Sequence, residues 1–157
     1  MRVGFGFDAH GLDDSRVLTL GGVRFEDEVG LAGHSDADVL SHSVADALLG
    51  AARLGDLGDH FPDTEEWRDA SSIDLLQHTA TALVRAGWRI VNVDATVVAE
   101  RPRLGPHRAR MAENIAQALG VPVGDVSVKA TSTDGLGFAG RREGIGAMAV
   151  VLVERSK

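Results

Sequence analysis

Apolar and small residues alternate from Val3 to His10, in the run Val-Gly-Phe-Gly-Phe-Asp-Ala-His. A period of two predicts a strand with Val3, Phe5, Phe7 and Ala9 on one face and Gly4, Gly6, Asp8 and His10 on the other. Val17–Leu20 and Val23–Phe25, parted by Gly21-Gly22, predict a hairpin. The spacing then becomes helical. Leu40, Val44, Leu48 and Ala51 mark the buried stripe of a helix from about Ala37 to Arg53, with Ser35 or Asp36 as its N-cap. Leu75, Leu76, Thr79 and Leu83 do the same for a second helix, opened by Ser71 or Ser72 and reaching about Ala86. Trp88 to Ala99 alternates again, with Val91, Val93, Ala95 and Val97 inward and Asn92, Asp94 and Thr96 outward. A third helix runs from about His107 to Leu119 and stops at Gly120. Val126–Ala130 is a short strand. Ile145–Val153 is nearly all apolar, which predicts a strand buried on both faces. Turn residues crowd 54–64, 101–106 and 131–146, which read as loops. Strands and helices mix without a strict βαβ repeat. The pattern therefore predicts one α+β domain over 1–157, with helices packed on one face of a mixed sheet.

Composition narrows the chemistry. The chain has no cysteine, so any metal must be held by His, Asp or Glu. Its net charge is 16 − 23 = −7, which argues against nucleic acid as a partner. No apolar run approaches the ~20 residues of a membrane span, and the N-terminus has no signal-like apolar stretch, so no membrane is expected and the expected location is the cytoplasm. An acidic chain that binds an anion must gather positive charge locally, on a metal or an arginine cluster.

Asp8 and His10 share a face stripped of bulk by glycines and can form two arms of a metal site; by spacing alone they equally form a polar edge. His42 is the candidate third ligand. It lies off the helical stripe of Leu40, so it points into a cleft or into solvent. Two histidines and a carboxylate suit zinc with an open coordination position. Asp46, one turn on, is the candidate to orient His42. His34, Ser35 and Asp36 precede the same helix, where free N–H groups favour an anion or ordinary capping. Thr131-Ser132-Thr133-Asp134 offers three hydroxyls and a carboxylate, which suit a phosphate with Mg²⁺ or Mn²⁺, or simply a polar turn. Gly135-Leu-Gly-Phe-Ala-Gly140 is a literal G-x-G-x-x-G. It is followed by a strand-like run too close to the end of the sequence for a βαβ unit, so a dinucleotide site is excluded. Arg101, Arg103, Arg108 and Arg110 cluster as a phosphate lip or a solvated face. The ligand set alone equally allows a metal-dependent phosphate-ester hydrolase.

Taken together, Gly4-Phe-Gly-Phe-Asp-Ala-His10, Gly33-His-Ser-Asp-Ala-Asp-Val-Leu-Ser-His42, Asp46-Ala-Leu-Leu-Gly50, Leu54-Gly-Asp-Leu-Gly58, His60-Phe-Pro-Asp-Thr64, Asn92-Val-Asp94 and Leu136-Gly-Phe-Ala-Gly-Arg141 with Glu143-Gly-Ile145 resemble the 2-C-methyl-D-erythritol 2,4-cyclodiphosphate synthase family almost end to end. The resemblance implies a ferredoxin-like, chorismate-mutase-like sandwich assembled as a homotrimer with active sites between subunits. The implied activity is that of a phosphorus–oxygen lyase of non-mevalonate isoprenoid synthesis. In it the 2-phosphate of 4-diphosphocytidyl-2-C-methyl-D-erythritol 2-phosphate attacks the β-phosphate and expels CMP. It further implies one Zn²⁺ per subunit on Asp8, His10 and His42, and Mg²⁺ or Mn²⁺ bridging the substrate phosphates near Asp134. His34 and Ser132 are implied to stabilise the transition state, and Ser35 to bind substrate beside His34. Asp56, Leu57 and Gly58, with Phe61, Pro62, Asp63, Thr64 and Glu65, correspond to loops around the methylerythritol portion. Ala99, Glu100, Arg101, Pro102, Arg103, Leu104 and Gly105 correspond to the cytidine loop, and Thr131, Ser132, Thr133 and Asp134 to the diphosphate segment. Phe138 and Arg141 correspond to positions near the trimer axis, where an isoprenoid diphosphate can bind. Three positions depart from the family pattern. Ser132 replaces a threonine, Asp134 a glutamate one methylene longer, and Arg103 a lysine.

Overall fold

The computed structural model describes residues 1–156. The first predicted strand is longer than its alternating run. Strand β1 spans Arg2–Leu20 and pairs antiparallel with β2, Val23–Leu31. Register shifts between Asp13 and Leu18 let the polar stretch after His10 remain in the ladder. The hairpin turns on Gly21 and Gly22, with φ of 55° and 69°. Two successive positive φ values are what a tight two-residue turn requires, hence the glycine pair.

Helices α1 (Val39–Ala52), α3 (Ser72–Arg85) and α4 (Arg108–Leu119) are the three predicted. A single turn, α2 (Leu57–His60), and another, α5 (Gly137–Gly140), stand inside stretches predicted as loops. Strands β3 (Trp88–Val98), β4 (Val126–Thr131) and β5 (Gly144–Arg155) complete a five-stranded mixed sheet of order β2-β1-β5-β3-β4. Only the β3–β4 pair is parallel. The helices cover one face, with α1 on β1 and β5 and α3 and α4 beside it. No helix among the described residues is long and apolar enough to cross a membrane.

The glycine face of β1 lies beneath α1. A Cβ on Gly4 would stand 1.9 Å from the Ala47 carbonyl oxygen, and one on Gly6 2.1 Å from that of Ser43. The glycines thus let a helix backbone rest directly on a strand. The apolar partners of the alternation face outward: Val3, Phe5 and Phe7 are 67, 61 and 52% exposed. They line up across the β1–β5 ladder with Leu152, Val150 and Met148. Strand β5 is therefore buried on one face in the single chain, not on both as its composition predicts. Its all-apolar sequence serves a face that this chain alone leaves open.

The cap of α1 also differs from expectation. Neither Ser35 nor Asp36 caps it. Asp38 does, through Ser41 N (3.0 Å) and the Ser41 hydroxyl (2.8 Å). Its carboxylate also accepts from Gly21 N and Gly22 N, both at 2.9 Å. Burial and the neighbouring Asp36 push its carboxyl up, and these backbone donors oppose them. One buried side chain thus joins the hairpin turn to the start of α1.

Gly6→Ala is expected to lose about 3 kcal/mol or more, because a backbone carbonyl has no rotamer with which to yield. Gly50→Ala, where nothing lies within 4 Å, is expected to be neutral or to stabilise by roughly 0.5–1 kcal/mol. Chemical denaturation of both variants checks the contrast; equal stabilities would refute the close-approach argument.

Candidate metal and substrate site

Asp8 and His10 project from β1 toward α1, and His42 reaches them from the helix. Asp8 Oδ2 is 2.9 Å from His42 Nδ1 and 3.1 Å from His10 Nε2. One ligand atom from each of the three residues lies within 4.8 Å of the other two, close enough to share one ion. Burial pushes the Asp8 carboxyl up, but hydrogen bonds and charge from the two histidines outweigh it and hold the group well below the usual carboxylate range. The same bond raises His10, against its partial burial. Asp8 and His10 thus each favour the charged form of the other.

The donor set fits such an ion. His10 Nδ1 donates to the Ala32 carbonyl, which leaves Nε2 for the site. His42 is not on a solvated face. It is 7% exposed, because α1 is enclosed by the sheet on one side and α3 on another. Its Nε2 meets the hydroxyls of Ser72 at 2.9 Å and Ser35 at 3.1 Å. Asp46 does not orient it. That carboxylate accepts instead from Leu57 N at 3.3 Å and ties α2 to α1.

A cleft of about 180 Å³ opens on this triad, lined by Asp8, His10, His34, Ser35, His42, Leu57, Gly58, Phe61, Asp63, Trp67 and Leu75. His34 lies before α1, not at its first turn, and its Nε2 donates to the Thr64 carbonyl. Asp56 caps α2 in a reciprocal capping box with Asp59, which shapes the Leu57–Gly58 wall. Phe61 packs edge-on to Trp67, centroids 4.9 Å apart, and both approach His78. Glu65 is engaged by Arg68, and Pro62 does not line the cleft. Trp67 and Ser72 were not singled out as site residues from the sequence. An isolated Trp in a polar loop was one signal for the first; the second read only as a helix cap.

The remaining expected residues form a second group, which does not line this cleft. The loops after β3 and β4 leave parallel neighbouring strands, and Ala99 N donates to the Thr131 carbonyl at 3.0 Å. Glu100 accepts from Thr133 N (3.0 Å) and Thr133 Oγ1 (3.2 Å), so the two loops are one unit. These contacts lower the Glu100 carboxyl. Ser132 Oγ donates to Asp134 at 3.0 Å, and Asp134 is left-handed, with φ 53°. Leu104 is buried in the core and offers a ligand only its backbone, while Arg101, Arg103 and Gly105 stay more open. Phe138 is 38% exposed over Gly146, and Arg141 pairs with Glu143 at 2.9 Å. The expected site residues of a single chain thus fall into two separate groups.

The model of the YgbB family matches residues 1–154. A 2-C-methyl-D-erythritol 2,4-cyclodiphosphate synthase of Syntrophomonas wolfei is 57% identical over 157 residues, 99% of this chain and all of its own. The synthase of Salinibacter ruber is 57% identical over 155 residues, 98% of this chain and 99% of its own. The bifunctional IspDF of Campylobacter jejuni superposes with a TM-score of 0.94 at 40% identity over 98% of this chain, which spans 42% of that longer one. The IspF of Plasmodium falciparum, solved as a CDP complex, superposes at 0.87 with 31% identity, covering 99% of this chain and 97% of its own. With its family model matched nearly end to end, relatives at 57% identity, the mixed sheet and a triad that could hold a metal ion, the chain belongs to the YgbB family, that of the 2-C-methyl-D-erythritol 2,4-cyclodiphosphate synthases.

Proposed function

We propose that this protein converts 4-diphosphocytidyl-2-C-methyl-D-erythritol 2-phosphate to 2-C-methyl-D-erythritol 2,4-cyclodiphosphate and CMP, as a phosphorus–oxygen lyase of non-mevalonate isoprenoid synthesis. The observation that carries the reading is the Asp8–His10–His42 triad flooring a cleft, in a chain 53–57% identical to synthases of that name. A neighbour solved with CDP supports a cytidine diphosphate substrate.

The chemistry balances without water or a protein nucleophile. An oxygen of the 2-phosphate bonds to the β-phosphorus, the bond from that phosphorus to the bridging oxygen breaks, and the bridging oxygen leaves with CMP. What remains for the protein is positioning and charge. Two histidines and a carboxylate leave a coordination position open, and Zn²⁺ bound there would supply Lewis-acid charge to the β-phosphate. His34 and Ser35 stand at the cleft wall to hold the phosphate end, and Leu57, Gly58, Phe61 and Asp63 to enclose the methylerythritol. The Ser132 hydroxyl can turn from Asp134 to an equatorial phosphate oxygen. Asp134 and its neighbours, oxygen donors throughout, suit Mg²⁺ or Mn²⁺.

The reading includes a homotrimer. Its support is the open apolar face of β1 and β5 and the separation of the two half-sites, which a partner's loops would complete. Phe138 and Arg141 then stand where an isoprenoid diphosphate can bind, once Arg141 leaves Glu143.

Incubation of the zinc-loaded protein with substrate and Mg²⁺ is expected to release CMP with a cyclic diphosphate. A linear product would mean hydrolysis, and no CMP would refute the reaction. His42→Ala is expected to lower kcat by about 10³-fold or more while preserving the circular dichroism spectrum. Full activity in that variant would remove the triad from the mechanism. Sedimentation is expected to give three times the 16.5 kDa of one chain. Val150→Asp, on the open face, is expected to yield monomers with little activity; an active monomer would exclude the shared site.

A further inference from the structure

We infer that Asp36 and Ser72 form a positioning pair that fixes which nitrogen of His42 takes the metal. The inference rests on the reading that the triad holds a divalent ion.

The logic is one of counting hydrogens. A serine hydroxyl has one hydrogen to give. That of Ser72 goes to Asp36 Oδ1, while Ser72 N donates to the other oxygen, Oδ2, at 2.9 Å. A carboxylate can only accept, so the direction of both bonds is settled. The Ser72 oxygen has only lone pairs left for His42 Nε2, 2.9 Å away. Nε2 must therefore carry a proton. The second hydroxyl there cannot set this direction. Ser35 Oγ accepts weakly from Ala37 N at 3.3 Å and can rotate to donate or to accept. With Nε2 protonated, the lone pair that a metal needs is on Nδ1, the atom 2.9 Å from Asp8 Oδ2.

The serine and the histidine are enclosed, while Asp36 is half-buried and reaches the surface. Ser72 is 1% exposed, and no side-chain N or O among the described buried residues lacks a partner. Capping does not account for it: Ser71 is the N-cap of α3, and Ser72 is its first helical residue. The two histidines are thereby set in opposite senses. His10 is fixed through Nδ1 by the Ala32 carbonyl, His42 through Nε2 by Ser72. Helix α3, which supplies no ligand, becomes part of the metal site.

The test uses the full chain loaded with zinc and labelled with ¹⁵N-histidine. Long-range ¹H–¹⁵N spectra are expected to show His42 protonated at Nε2 and metal-bound at Nδ1. Ser72→Ala is expected to weaken zinc binding about 10- to 100-fold in a chelator competition, and Ser72→Thr, which keeps the hydroxyl, to restore most of it. Melting of each variant separates loss of affinity from loss of fold. Zinc bound through His42 Nε2 in the unmodified chain would overturn the inference whatever the variants do. So would unchanged affinity and His42 signals in a folded Ser72→Ala. A chain that takes up no zinc at all would instead overturn the metal reading, and the inference with it.

Discussion

The site depends on how closely α1 lies on β1. An ordinary strand side chain at positions 4 and 6 would hold the helix away by the size of a methyl group or more. With glycine there, the Ala47 and Ser43 carbonyls reach within van der Waals range of the strand backbone. Continuing along the same face of the strand, the next residue is Asp8, and on the helix the residue before Ser43 is His42. The 2.9 Å contact between them follows from that approach. The glycines thus set the distance at which Asp8 and His42 meet, and their cost in chain entropy is borne because no larger residue can stand there.

Two acidic residues, Asp36 and Asp38, hold the frame around this contact. Asp38 receives the hairpin turn and the start of α1, so it orients the helix that carries His42. Asp36 receives Ser72 and Asp38 N, so it fastens α3 to the same corner. Asp38 is buried and Asp36 half-buried, and carboxylates withdrawn from water are costly unless their oxygens are matched by donors. Here the matching donors belong to several different segments, and satisfying them fixes the segments relative to one another. Arg16 adds to the corner from β1 by donating to the Gly33 and Ser35 carbonyls, which holds His34 and Ser35 in place.

Much of this was legible in the sequence because the periodicities are strong. The alternation of β3 is observed from Asn92 on, with Val93, Ala95 and Val97 buried, while Val91 is only half-buried because a register shift falls between Ile90 and Asn92; α3 and α4 have close to their predicted bounds. The triad was legible because strand and helix each have a fixed side-chain direction. What sequence could not give were properties set by two neighbours at once. His42 read as off-stripe because a stripe assumes one buried face, whereas α1 is packed on more than one. Asp46 read as its partner because one-turn spacing is local, whereas the actual partners, Ser35 and Ser72, are 7 and 30 residues away. Asp38 displaced Ser35 and Asp36 as the cap because a distant glycine turn supplies further donors to it.

The most apolar strand illustrates the opposite case, where the sequence carried information that one chain does not use. Met148 and Val150 are exposed beside Phe5 and Phe7, while on β3 the same face turns polar at Asp94, which pairs with Lys129. A face graded from apolar to charged is poorly suited to water along its first two strands and well suited along the last two. Such a surface favours an association that buries β1 and β5 and leaves the rim of β3 and β4 near solvent. The loops at that rim, 99–105 and 131–134, do not line the triad cleft of their own chain. On the proposed reading, the force that would assemble the subunits and the geometry that would complete the active site have one origin, the alternation that set glycines on one side of β1 and phenylalanines on the other.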